Sequence, residues 1–246
     1  MTDRLAAVHP DRMHLGLMLA LTFTTGIVDA VGYLGLDRVF TGNMTGNVVI
    51  LGMALVGADD LPILGPALAL IGFMAGAALG GRVLRRADRA WTGLTTWLFL
   101  AVAVVTLGLG VTLLVVGESP SRPVGITVTT LLGAAMGVQA ATARFIAVKD
   151  VTTVVVTSTI TGLAADSVLG SGKGGGSARR AAAVVLILAG AATGAALLRW
   201  HLGAGLLLAG VVILATVALG ATHARAWERR AVARVGLSRG DNVDTA

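Results

Sequence analysis

The chain has 246 residues, 55% of them hydrophobic and only 13% charged, with a mean hydropathy of +0.85. A soluble domain carries about 25% charged residues, so this composition excludes one and points to the bilayer. The net charge of +6 is not a nucleic-acid footprint, because Lys and Arg stand in short blocks between apolar runs, the pattern that writes membrane topology. With no cysteine in the chain, a disulfide framework and thiolate metal sites are excluded as well.

The first apolar run, 14–36, is too long for the core of a signal peptide and no small-residue cleavage site follows it, so it is expected to persist as a spanning helix. Thr22, Thr25, Gly26, Asp29, Gly32 and Tyr33 recur along it at spacings of three and four, on one helical face. A carboxylate within a span costs about 2.5–3.5 kcal/mol. Asp29 is therefore either a proton or cation site, or a structural carboxylate that caps a half-helix or pairs with Arg38 or Arg144.

Next comes a shorter, more polar segment, 38–57, holding Thr41-Gly42-Asn43-Met44-Thr45-Gly46-Asn47. Thr and Asn are good helix N-caps and Gly permits a sharp bend. From Val48 to Gly57 a helix would run about 15 Å, half the hydrocarbon thickness. A half-helix beginning near Met44 or Thr45 would turn its free N–H groups and positive dipole end toward the membrane middle. That end suits an anionic solute, or Asp29 itself as an internal anion.

Spans then follow at 62–84, 91–116 and 123–146, the last carrying Gln139 and Arg144. Gly72, Gly76 and Gly80, like Gly190 and Gly194, form small-xxx-small ridges that suit close internal packing, though the first ridge could also seat a second copy of the chain. A second polar segment, 151–170, holds Thr157, Thr159 and Thr161, and its β-branched entry over 151–161 favours an extended leg. Spans at 181–200 and 203–222 and a basic tail, 223–246, complete the chain. Trp91 and Trp200 stand at span ends as interfacial anchors. The four histidines lie at flanks without an i, i+4 pair, so no metal site is expected. Ser171–Ser177 reads as a flexible linker, not a phosphate loop, and no cofactor is implied.

Charge constrains the topology. The blocks at 82–89, 173–180 and 225–239 should be cytoplasmic, which requires 151–170 to enter and leave on one face. If 38–57 does the same, both termini are cytoplasmic and only Arg38, Arg122 and Arg199 lie outside. If 38–57 spans and the N-terminus is external, Arg4, Arg12, Arg122 and Arg199 lie outside, and charge cannot separate the two.

An internal repeat favours the first. Gly26–Asp29 parallels Gly137–Ala140, Thr41/Thr45/Gly46 parallel Thr157/Thr161/Gly162, and Ala75–Gly80 parallels Ala189–Gly194, all in the same order. The expected fold is an all-α polytopic membrane protein, one membrane domain of six transmembrane helices plus two re-entrant half-helices. Repeat one (about 14–116) and repeat two (about 123–222) would be inverted in the membrane, their half-helix starts near Thr45 and Thr161 meeting at the midplane.

The run Gly26-Ile-Val-Asp29-Ala30 … Val39-Phe40-Thr41-Gly42-Asn43-Met44-Thr45-Gly46-Asn47 … Leu51-Gly52 closely resembles the signature of the YoaK-like family, uncharacterised bacterial inner-membrane proteins classed as a domain of unknown function. The resemblance spans nearly the whole chain. It implies a multi-pass protein of the bacterial inner (plasma) membrane and carries no agreed substrate.

Polar groups at membrane depth imply a protein-lined or water-filled site. The leading expectation is a small secondary transporter or channel for a small polar or anionic solute, with proton coupling through Asp29. Its site would comprise Thr25, Asp29, Tyr33, Thr41, Asn43, Thr45 and Asn47 in one half and Gln139, Arg144, Thr157, Thr159 and Thr161 in the other. The competing class is a non-transporting scaffold or lipid-interacting protein whose polar motifs lock the fold. An intramembrane enzyme is the third class, and the sequence offers it no nucleophile–base set.

Overall fold

A computed structural model describes residues 7–87, 91–148, 156–172 and 176–240. The expected extended leg at 151–155, Arg4, Arg89, Lys173 and the final six residues lie outside the described residues. Helix α1 runs Pro10–Gly35, α2 Met44–Ala54, α3 Leu64–Leu84, α4 Gly93–Val116, α5 Arg122–Ile146, α6 Thr157–Ala165, α7 Ser177–Leu197 and α8 Ala204–Gly240. Among the described residues, six of these are long and apolar enough to cross a membrane. They fall on the six expected spans to within four residues at nearly every end, but α8 runs on through the expected tail.

Local chemistry sets the ends. Pro10 stands at the start of α1, where its missing N–H and fixed φ cost nothing. Thr92 and Thr95 close a capping box at the start of α4. Ala147 takes a left-handed conformation to end α5. At the other end of α1, Asp37 and Arg38 adopt φ of 61° and 56°, and the chain turns back along the helix.

Helix α1 is the most buried span and packs against α7, α8 and α5. The closest approaches are made by glycine. A methyl group at Gly26 would strike the carbonyl of Ile187, and one at Gly190 that of Phe23. On the other side of the bundle, Gly137 meets Phe73 and Gly76 meets Ala134 in the same manner. Gly72 would place a Cβ 2.5 Å from the Thr130 carbonyl. The ridge Gly72/Gly76/Gly80 is therefore spent on α5, as internal packing requires.

Three expectations are corrected. Trp91 is no interfacial anchor: it is 4% exposed, stacked between His14 and Phe99 and lying over Gly220. That site opens where α1, α4 and α8 converge and only glycine leaves room for an indole. Trp200, at 81% exposure, keeps the surface position. Residues 157–161 are helical, not extended. β-branching lowers helix propensity only by tenths of a kcal/mol, and the Thr161 hydroxyl donates back to the Thr157 carbonyl at 2.9 Å. Finally, α2 packs on α3 and α6 on α7, with no contact joining α2 to α6. Each short helix is held by its own half of the chain, so their starts do not meet.

Candidate functional site

The site is a chain reversal pinned to α1. Backbone N–H groups of Thr41, Gly42 and Asn43 all donate to Asp29 Oδ1, at 2.9, 2.7 and 3.3 Å. Hydrogen bonds to an ionised acceptor are roughly twice as strong as neutral ones, and successive amides of this kind form an anion-binding concavity. Gly42 is needed because a Cβ would sit 2.8 Å from Thr25 Cγ2 and 3.5 Å from both carboxylate oxygens. Beneath the reversal, Val39 N–H donates to the Gly32 carbonyl at 3.4 Å, and any side chain at Gly32 would collide with Val39.

Asn47 closes the knot from α2. Its Oδ1 accepts from Phe40 N–H at 2.9 Å and its Nδ2 donates to the Phe40 carbonyl at 2.6 Å, so one buried amide satisfies both backbone groups of one residue. Asn43 caps α2 by accepting from Gly46 N–H at 3.1 Å. Tyr33 and Phe40 stack with centroids 4.7 Å apart. Asn43 thus caps the first turn of α2 from within, while Asp29 gathers the three N–H groups that lead into the helix.

From this knot a polar row runs through the interior. Thr25 accepts from Gln139 Nε2 of α5 at 3.2 Å and donates to the Leu21 carbonyl at 3.0 Å. Gln139 and Thr41 are 0% exposed. Yet among the described residues Gln139 Oε1 and Thr41 Oγ1 have no hydrogen-bond partner, a condition that costs about 1–3 kcal/mol per group. Buried orphan polar atoms of this kind call for an explanation beyond packing.

Asn43 belongs to the knot but is exposed, and the remaining expected site residues lie elsewhere. Thr45, Arg144, Thr157 and Thr161 are exposed, and neither Arg38 nor Arg144 pairs with Asp29. Arg38 instead reaches Asp59 at 3.7 Å, because the reversal at 37–38 carries it away from α1. Thr159 is buried on α6. That helix is moored to α7 by Arg180, which donates to Asp166 at 2.7 Å and to the Gly162 carbonyl at 2.8 Å.

Sequence reasoning also missed an opening. A cleft of about 840 Å³ lies among the C-terminal end of α1 and the starts of α3 and α5. Exposed Asp37, Asp60, Glu118 and Arg122 line it, along with buried Val39, Gly65 and Thr129. Val39 thus belongs both to the cleft wall and to the knot that Asp29 holds. The acidic loop residues were the available signal, but nothing in their spacing joins 37, 60 and 118.

A family model described as "Protein of unknown function (DUF1275)" matches residues 17–220. The chain belongs to this family. It is 32% identical over 151 residues to the UPF0700 transmembrane protein YoaK of Bacillus subtilis (strain 168). That match covers 61% of this chain and 65% of the relative, a little under two thirds of its length. No solved structure is significantly similar. Within the family match lie the whole knot, the polar row and the cleft, and the chain is accordingly a multi-pass membrane protein.

Proposed function

We propose that this DUF1275 member is a small transporter or channel for a small polar solute, entered through the cleft and lined within by Thr41, Asp29, Thr25 and Gln139. The carrying observation is the pair of fully buried, unpartnered atoms, Thr41 Oγ1 and Gln139 Oε1, in a polar row that begins beneath the cleft. A purely structural core has no reason to keep such atoms, whereas a passing solute gives them partners. Asp29 is the titratable group of the row, so a proton gradient would act through it.

We also propose an inverted-repeat architecture with re-entrant short helices, a reading that the glycine contacts support. The α1–α7 glycine contacts correspond to those of α5–α3 in the expected register: Gly26 on Ile187 answers Gly137 on Phe73, and Gly194 on Ile27 and Ala30 answers Gly80 on Val138 and Ala141. Helix α2, about 16 Å long, returns the chain to the level it left, where Arg38 meets Asp59. Repeats of this kind around broken helices recur among secondary transporters.

The experiment is a solute-flux screen in proteoliposomes, with and without a pH gradient. Thr41→Val removes the orphan oxygen while keeping the N–H that Asp29 binds. It should raise the melting temperature and lower flux at least tenfold, the trade-off expected of a functional polar group. A screen in which no solute crosses, or Thr41→Val transport at the wild-type rate, defeats the proposal. A structural role for the knot is favoured by one observation, the full pairing of Asp29 Oδ1 and Asn47, and would show as a protein that transports nothing at all.

Sidedness follows from the same reading. His223 Nε2 lies 3.0 Å from the Val8 carbonyl and His9 stacks edge-on against Trp227, so the start of α1 adjoins the basic extension of α8. Both termini belong in the cytoplasm by the positive-inside rule. In the Cys-free background, Ser119→Cys should react with an impermeant maleimide from outside the cell and Ala7→Cys only after permeabilisation. External labelling of Ala7→Cys would reverse the assignment.

A further inference from the structure

We infer that the groove between α1 and α8 holds one acyl chain of an anionic phospholipid whose phosphate is bound by Arg12. The groove, about 440 Å³, is walled by Met13, Gly16 and Ala20 on one side and Val212, Ala215 and Leu219 on the other, with Arg12 in its lining. The one hydroxyl in its wall, on Thr216, is spent on the Val212 carbonyl at 2.9 Å. The lining is thus apolar along its length and cationic at one end.

Its dimensions fit one leaflet. Arg12 to Ala20 is eight residues, about 12 Å of helix, against about 15 Å for half the hydrocarbon core. The opposite wall, Val211 to Leu219, has the same length and runs antiparallel. Arg12 stands at the end where α1 meets the basic extension of α8, the level at which a lipid phosphate lies. Neighbouring Asp11 is engaged with His9 at 3.4 Å.

Gly16 argues that the space is kept. A Cβ there would meet nothing within 4 Å, and glycine inside a helix is about 1 kcal/mol worse than alanine. Unlike the other glycines with open space beside them, Gly16 lines this groove, and a larger side chain there would fill it. In a membrane protein the component that reaches an apolar, lipid-facing groove is an acyl chain, and an exposed arginine at its mouth selects an anionic headgroup.

The test is thermal unfolding of the purified full chain in mild detergent, titrated with phosphatidylglycerol or phosphatidylcholine. For the wild type, saturating phosphatidylglycerol should raise the Tm by about 5 °C and phosphatidylcholine by much less. Arg12→Gln should reduce the phosphatidylglycerol shift to the phosphatidylcholine level. Gly16→Leu and Ala215→Leu, which fill the groove from opposite walls, should abolish both shifts. The proposal is overturned if a folded groove-filling variant responds as the wild type does. It is equally overturned if inorganic phosphate alone reproduces the shift, or if the wild type is a dimer that Gly16→Leu dissociates, because the groove then seats a second copy.

Discussion

Gly26→Ala and Gly137→Ala should each nearly eliminate folded protein, while Gly81→Ala leaves yield and melting temperature at or slightly above wild type. The added methyl at Gly26 meets the Ile187 carbonyl and lies 2.8 Å from Ala191 N. At Gly137 it meets the Phe73 carbonyl and lies 2.9 Å from Ala77 N. Overpacking costs about 1–3 kcal/mol where side chains can move aside. Here the obstacle is the backbone of a neighbouring helix, which can yield only by separating α1 from α7 or α3 from α5, so the loss should reach at least about 3 kcal/mol. Gly81 points into open space, where replacing glycine stabilises by about 0.4–1 kcal/mol through the unfolded chain. Fluorescence-detected gel filtration with a melting curve in detergent measures all three. Wild-type behaviour of the first two would mean that the close contacts at the α1–α7 and α3–α5 interfaces are not what holds the bundle.

These interfaces also show what could be read from sequence. The six spans were legible because each is a long apolar run bounded by charge, a signal that depends on composition and not on partners. The ridges of small residues were legible as packing faces, and Gly26 and Gly137, which the internal repeat paired, each meet the backbone of a neighbouring helix. Which helix each ridge would face was not legible, since a glycine stripe records closeness and not identity. Trp91 shows the same limit: an aromatic residue at a span end marks an interface only when no pocket lies beside it, and that pocket is made by Gly220, well over a hundred residues away.

The site was half legible. Asp29 and the Thr41–Asn47 motif stood out because polarity inside an apolar stretch is costly, and their proximity in sequence let them be joined. The direction of each bond was hidden. Asn47 faces back to Phe40 instead of outward to a solute, because the reversal leaves both polar groups of Phe40 in need of partners. In the second half, Ala140 stands where Asp29 stands in the first. No carboxylate is there to draw 157–161 onto α5, and α6 is moored to α7 through Arg180 instead. The long helices of the two halves make glycine contacts of the same kind, and the parallel ends where that single carboxylate is missing.

Asp29→Ala should therefore unfold the 39–47 segment, and Asp29→Asn should not. Alanine leaves the N–H groups of Thr41, Gly42 and Asn43 without their acceptor, at about 1–3 kcal/mol for each that stays buried. Water can reach the exposed Asn43, so the expected total is about 3–5 kcal/mol and not the full sum. Asparagine retains a carbonyl oxygen in the place of Oδ1 and loses the charge assistance alone, so it should cost about 1–2 kcal/mol. Melting curves and protease susceptibility at 39–47 separate the two variants. If Ala melts as Asn does, the three-donor arrangement contributes nothing to the fold. Flux then divides the roles of the carboxylate. Where Asp29 only holds the reversal, the Asn variant conducts with wild-type dependence on the pH gradient. Where the carboxylate also carries the proton, the Asn variant still folds but its flux no longer responds to the gradient, since an amide has no proton to exchange. We expect the second result, because holding the loop requires only Oδ1, and a neutral amide could supply that oxygen at lower cost within a membrane.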